Sequence, residues 1–167
     1  MDTLLRLSKR SILKLHNQLK ALIIKAMIPS GYSGTPLAKK LGIKNGFRIR
    51  IVNQPDHYYQ LFQDLPTDLI HIDNTKTKKD FIHYFAKEAT LLKQDIRSLR
   101  NEIVPNGMIW ISWPKKTSRV PTDITEDIIR DIALKNGLVD IKVCAIDEIW
   151  SALKLVIPVK ERGKIES

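Results

Sequence analysis

The sequence predicts an α/β domain: a mainly parallel sheet flanked by helices and finished by a C-terminal antiparallel strand hairpin. Three observations carry that expectation. Strand-like runs alternate with amphipathic helical stretches, the pattern that lays parallel strands side by side under covering helices. Met108 to Trp113 is almost wholly apolar, as a strand covered on both faces must be. The last two strand-like runs, Val139 to Ala145 and Ala152 to Val159, lie too close for a helical crossover and therefore pair antiparallel at one edge.

Composition agrees. The chain has 167 residues, 43% hydrophobic and 28% charged, and a domain of that size buries roughly 70% of its unfolded surface. Apolar stretches near the N-terminus fall far short of the ~20 residues a transmembrane helix needs. Cys144 is the single cysteine, which excludes an internal disulfide framework and a cysteine metal cage. With no export signal, a reducing cytoplasm is the expected location.

Residues 1–28 read as a separable, basic amphipathic helix. Ile12, Leu15, Leu19, Leu22 and Ala26 recur at helical spacing, while lysines and arginines fill much of the remaining surface. Half of the chain's net charge of +10 lies in residues 1–30, so the body is only mildly basic and carries no strong nucleic-acid signature. Three readings stay open: a helix packed on its own domain or a protein partner, an interfacial membrane helix or targeting segment, and an extension ahead of an alternative start at Met27. The α/β domain is expected over 29–160, with a disordered tail over 161–167.

From Gly31 the elements follow in order. Gly31 to Gly34 is a turn, Thr35 a candidate N-cap, and Leu37 to Leu41 a short helix stopped by Gly42. Phe47 to Val52 alternates as a strand, His57 to Phe62 reads as a short helix, and Leu69 to Ile72 and Phe81 to Phe85 as strands. A long helix over about 86–103 places Ala89, Leu92, Ile96, Leu99 and Ile103 on one face. Pro105-Asn106-Gly107 reads as a turn. Thr122 or Asp123 is expected to cap a helix whose inner face is Ile124, Ile128, Ile129, Ile132 and Ala133, ended by Asn136-Gly137.

This parallel core with its terminal hairpin resembles the class I methyltransferases, a Rossmann-like fold whose last strand inserts antiparallel. The run Asn106 to Lys115 is similar to the strand after a glycine turn in that fold. Two longer blocks are more specific. One is Gly31-Tyr32-Ser33-Gly34-Thr35-Pro36-Leu37-Ala38-Lys39-Lys40-Leu41-Gly42-Ile43-Lys44. The other runs from Trp113-Pro114-Lys115-Lys116 through Val120-Pro121-Thr122-Asp123 to Val143-Cys144-Ala145-Ile146-Asp147-Glu148-Ile149-Trp150-Ser151. Together they resemble an uncharacterised bacterial group, the domain-of-unknown-function 3052 family, over about residues 30–158.

The methyltransferase resemblance implies S-adenosylmethionine, held by a glycine-rich loop after the first strand and by an acid after the second. Asp73 matches the acid. The loop does not match: Ile51-Val52-Asn53-Gln54-Pro55-Asp56-His57 has no glycine, so side chains stand where backbone must approach the cofactor. The expectation is a scaffold retained without its cofactor site, serving as a non-catalytic binding or regulatory domain. Two alternatives remain. One is a methyltransferase whose cofactor is held by Ser33, Gly34, Thr35 and Asp73. The other is an RNA- or anionic-surface-binding accessory that uses the N-terminal helix and the patch Trp113, Lys115, Lys116 and Arg119, at the sheet edge where α/β proteins bind ligands.

No catalytic set and no metal site emerge. The histidines at 16, 57, 71 and 83 are scattered, and Cys144 sits mid-strand as a small hydrophobe. The serines lack a nucleophile elbow. Asp147 and Glu148 fall in a hairpin turn with no burial to shift a pKa, and Trp150 reads as packing. The helix 37–41 is not half of a helix-turn-helix, because a strand follows it.

Overall fold

The computed structural model describes residues 8–27 and 34–164, in two compact units divided after Gly34. In the first unit α1 (Lys9–Met27) is one helix, begun at Ser8, whose hydroxyl accepts the Ser11 N–H at 3.2 Å. Ile12, Leu15, Leu19 and Leu22 are all exposed on it. No helix among the described residues is long and apolar enough to cross a membrane.

The second unit is built on one six-stranded sheet. Its strands are β1 (Arg48–Val52), β2 (Ile70–His71), β3 (Lys79–Phe85), β4 (Ile103–Pro114), β5 (Val139–Ala145) and β6 (Trp150–Val156), in the order β2-β1-β3-β4-β6-β5. The first four are mutually parallel; β6 alone runs against its neighbours, antiparallel to both β4 and β5. Trp110, Ala152 and Trp150 point to one face, under α2 (Leu37–Leu41) and a 3-10 turn at Tyr58–Leu61. Ile109, Ile111, Leu153 and Leu155 point to the other, under α3 (Ala89–Glu102) and α4 (Glu126–Lys135). The strict alternation along β4 and β6 follows from the period of two, and coverage of both faces explains why β4 is apolar throughout.

Three local expectations are corrected. Pro105-Asn106-Gly107 is no turn: β4 begins directly after α3, because Ile103 is buried and already pairs with Lys79. The extra residues form an irregularity, two residues of β3 spanning five of β4. Gly107 fits there because a Cβ would come within 3.0 Å of the Val104 carbonyl oxygen. The cap of α4 is Thr125, whose hydroxyl accepts the Ile128 N–H at 3.3 Å; Thr122 and Asp123 serve α3 instead. Thr122 donates to the Lys87 carbonyl oxygen at 2.7 Å, and Asp123 accepts the Ala89 N–H at 2.7 Å. Finally, the chain stays ordered past residue 160. Helix α5 (Val159–Arg162) is tied back by Arg162 to the Ile157 carbonyl oxygen and by Glu161 to Arg100. Residues 165–167 of the expected tail lie outside the described residues.

Candidate functional site: the cleft at the carboxyl ends of β1 and β3

Parallel strands deliver their carboxyl ends to one edge, and there the segments after β1 and β3 border a cleft of about 330 Å³. Asn53, Gln54 and Pro55 form one wall, Phe85 to Glu88 the other, and Trp150 at the start of β6 closes the floor. Trp150 is fixed edge-on to Phe85, centroids 5.0 Å apart, and the Lys87 ammonium stands 6.0 Å above its ring.

The loop after β1 turns at Asn53, which adopts a left-handed backbone with φ 55°. Asparagine tolerates that conformation better than most side chains, so the turn survives without glycine. Its side-chain amide donates to the Phe85 carbonyl oxygen at 3.4 Å and so spans the opening between the two strands. Beyond it comes only the four-residue 3-10 turn, leaving no helix N-terminus aimed into the cleft from β1.

A second tie closes the same edge. His57 Nε2 lies 2.9 Å from Asp147 Oδ2, and the other oxygen of that carboxylate accepts the N–H groups of Ile149 and Trp150 at 2.8 and 2.7 Å. Lys115 Nζ donates to the Asp147 carbonyl oxygen at 2.6 Å. Asp147 is thus a half-buried organiser of the β5–β6 turn and not the exposed acid expected there. Behind the cleft, Tyr58 OH, His83 and Ser112 form a buried chain, with His83 Nδ1 3.1 Å from Tyr58 OH and Nε2 2.7 Å from Ser112 Oγ. Burial pushes the His83 pKa down to about 3, so the ring is neutral. The Tyr84 hydroxyl, on the cleft wall, donates a hydrogen bond to Asp95 Oδ2 at 2.7 Å, and burial raises its pKa above the usual phenol value. These buried groups are engaged with one another.

The residues singled out from sequence do not assemble in one place. Ser33 lies outside the described residues. Thr35 is exposed beside Pro36 and does not cap α2; Gly34 is exposed. The free amides at the start of α2 are instead taken by Asp64, whose two oxygens accept from Ala38 and Lys39 at 3.2 Å each. Asp73 is exposed two residues past β2 and does not line the cleft. Trp113, Lys115 and Lys116 do meet, on a separate cleft of about 480 Å³ that also carries Asp123 and Glu126. Trp113 is only 9% exposed and packs in the core under α3 and α4, which leaves little ring for stacking. Arg119 is exposed, at φ 58°, and is absent from that lining. Sequence reading missed Asn53, Lys87, Glu88 and the His57–Asp147 tie; the glycine-free loop was the one local signal pointing to the first of these.

No protein-family model matches this chain, and no curated protein matches it in sequence. Solved structures do. A SAM-dependent methyltransferase from Aquifex aeolicus is 14% identical, with a TM-score of 0.55 over 73% of this chain and 88% of that one. The ribosomal protein L11 methylase of Lactobacillus delbrueckii subsp. bulgaricus is 10% identical over 72% and 74% of the two chains, TM-score 0.49. The magnesium protoporphyrin IX methyltransferase of Synechocystis PCC 6803, solved with bound SAM, is 10% identical over 95% and 87%, TM-score 0.48. The fold is methyltransferase-like: a mostly parallel α/β sheet with antiparallel C-terminal strands, an assignment that rests on the Aquifex likeness.

S-adenosylmethionine, which that fold family implies, does not fit the residues present. Asn53 carries a side chain across the approach, Pro55 has no N–H to offer, and Asp73 stands outside the cleft.

Proposed function

We propose that this chain is a non-catalytic binding or regulatory domain on a methyltransferase scaffold that has lost its cofactor loop. The observation that carries the reading is the turn after β1. A left-handed Asn53 bridges to the Phe85 carbonyl oxygen where the backbone would have to meet a cofactor's amino-acid group. The resemblance to the domain-of-unknown-function 3052 family finds no match among family models and carries no part of this reading. Calorimetric titration of the full chain with S-adenosylhomocysteine tests it. The expected result is no saturable heat from protein that is folded by circular dichroism; micromolar binding would overturn it.

One observation favours a second reading, a methyltransferase with an atypical cofactor loop. The cleft lies at the carboxyl ends of the parallel strands, where ligands of open α/β sheets collect. On that reading Asn53→Gly tightens cofactor binding in the same titration.

A further inference from the structure

We propose that the sheet face around Lys142 and Lys154 binds the phosphodiester backbone of double-stranded nucleic acid without reading its sequence. Lys142 on β5 and Lys154 on β6 are direct cross-strand partners. Both lie on the α2 side of the sheet, since Lys154 also pairs with Trp110, which packs there. Like charges placed directly opposite destabilise a strand pair, so an anion bound there would relieve the repulsion. More cations border it. Lys142 Nζ reaches to 3.5 Å from the Lys40 carbonyl oxygen at the end of α2, and Lys44 follows two residues after the helix stops at Gly42.

The charges are mutually felt: burial, then Lys142 and Lys44, push the Lys154 pKa below the usual lysine value. Among the described residues Lys44, Lys142 and Lys154 form no ion pair, and Asp140, the acid on β5, is held by Arg130 of α4 at 3.1 Å, on the opposite face. A bound polyanion would supply the missing counter-charge.

The chemistry of the patch selects among polyanions. Lysine ammonium groups act as point charges, suited to phosphates spaced along a backbone. Single strands are held by stacking bases on exposed rings, and Trp110, the aromatic beside Lys154, is fully buried with its N–H given to the Leu41 carbonyl oxygen. A protein partner would call for an aromatic anchor of the kind the patch lacks. A duplex, with its bases inside and its phosphates outside, matches an open lysine face.

The test is fluorescence anisotropy of the full chain with a labelled DNA duplex of about 20 base pairs between about 50 and 200 mM salt. The double variant Lys142→Gln/Lys154→Gln is expected to flatten the plot of log K against log salt by about 1.8, at about 0.9 for each lost phosphate contact. The same variant keeps or gains thermal stability, because repulsion is removed. Should it fold poorly, Lys44→Gln, in an exposed loop, reads one contact's worth of the same slope. A charge-matched pair on α1, Lys9→Gln/Lys20→Gln, is expected to change the slope less than the sheet pair does. An unchanged slope in the sheet variants would overturn the proposal. So would equal or tighter binding of a single strand, or an equal loss from the α1 pair.

Discussion

His57 and Asp147 stand ninety residues apart in sequence and 2.9 Å apart in space, joining the loop after β1 to the turn between β5 and β6. This pair ties the loop that forms one wall of the cleft to the turn that leads into Trp150. Because the same carboxylate accepts two backbone N–H groups, its role in shaping the hairpin exceeds its role as a partner of His57.

Removing the two members should therefore have unequal effects. Asp147→Ala leaves the Ile149 and Trp150 amides without their acceptor and is expected to cost about 1–3 kcal/mol. His57→Ala removes one contact from a side chain 39% exposed, and should cost less than about 1 kcal/mol. Urea denaturation of the two variants checks the order; a larger loss for His57→Ala would contradict it.

The buried Tyr58–His83–Ser112 chain predicts a pH dependence. The unfolded chain takes up the His83 proton near pH 6.5, the folded protein only near pH 3. Between those values the unfolded state binds more protons, so stability falls as pH falls, by about 1.4 kcal/mol per unit from this group. Above pH 6.5 the contribution is complete. His83→Gln should flatten the profile between about pH 6.5 and 5.5, a window above most carboxylate titration. A profile as steep as that of the unmodified protein would count against a buried neutral imidazole.

A second buried cluster sits at the end of α3. The Glu102 carboxylate accepts from Lys79 at 3.1 Å, from Arg50 at 2.7 Å and from Ser98 at 3.0 Å, and both Lys79 and Glu102 are out of contact with solvent. Glu102→Gln strands two cations and is expected to cost about 3–5 kcal/mol, whereas Lys79→Met leaves Arg50 still paired and should cost clearly less. Chemical denaturation of both variants decides it, and equal losses would refute the asymmetry.

Much of the fold was legible because its signals are local. The apolar run of β4, the helical stripe of Leu92, Ile96 and Leu99, and the short β5–β6 connection each follow from spacing within a dozen residues. The site was less legible because its parts are distant. Asp64 caps α2 across 26 residues and Asp123 serves α3 across 34, and nothing near either aspartate announces the helix it satisfies. The glycine-free loop could be seen in the sequence; that Asn53 would take a left-handed turn and bond across to β3 could not. The lysine face was hidden for the same reason, since Lys44, Lys142 and Lys154 meet only through strand pairing and the placement of α2.

The central claim is that the scaffold has lost its cofactor site, and an amide-resolved NMR titration of the full chain with S-adenosylmethionine tests it most directly. The account predicts that the resonances of Asn53, Gln54 and Lys87 and the Trp150 indole N–H stay in place up to millimolar ligand, about 4 kcal/mol of binding at most. Saturable shifts confined to those residues at micromolar ligand would contradict it.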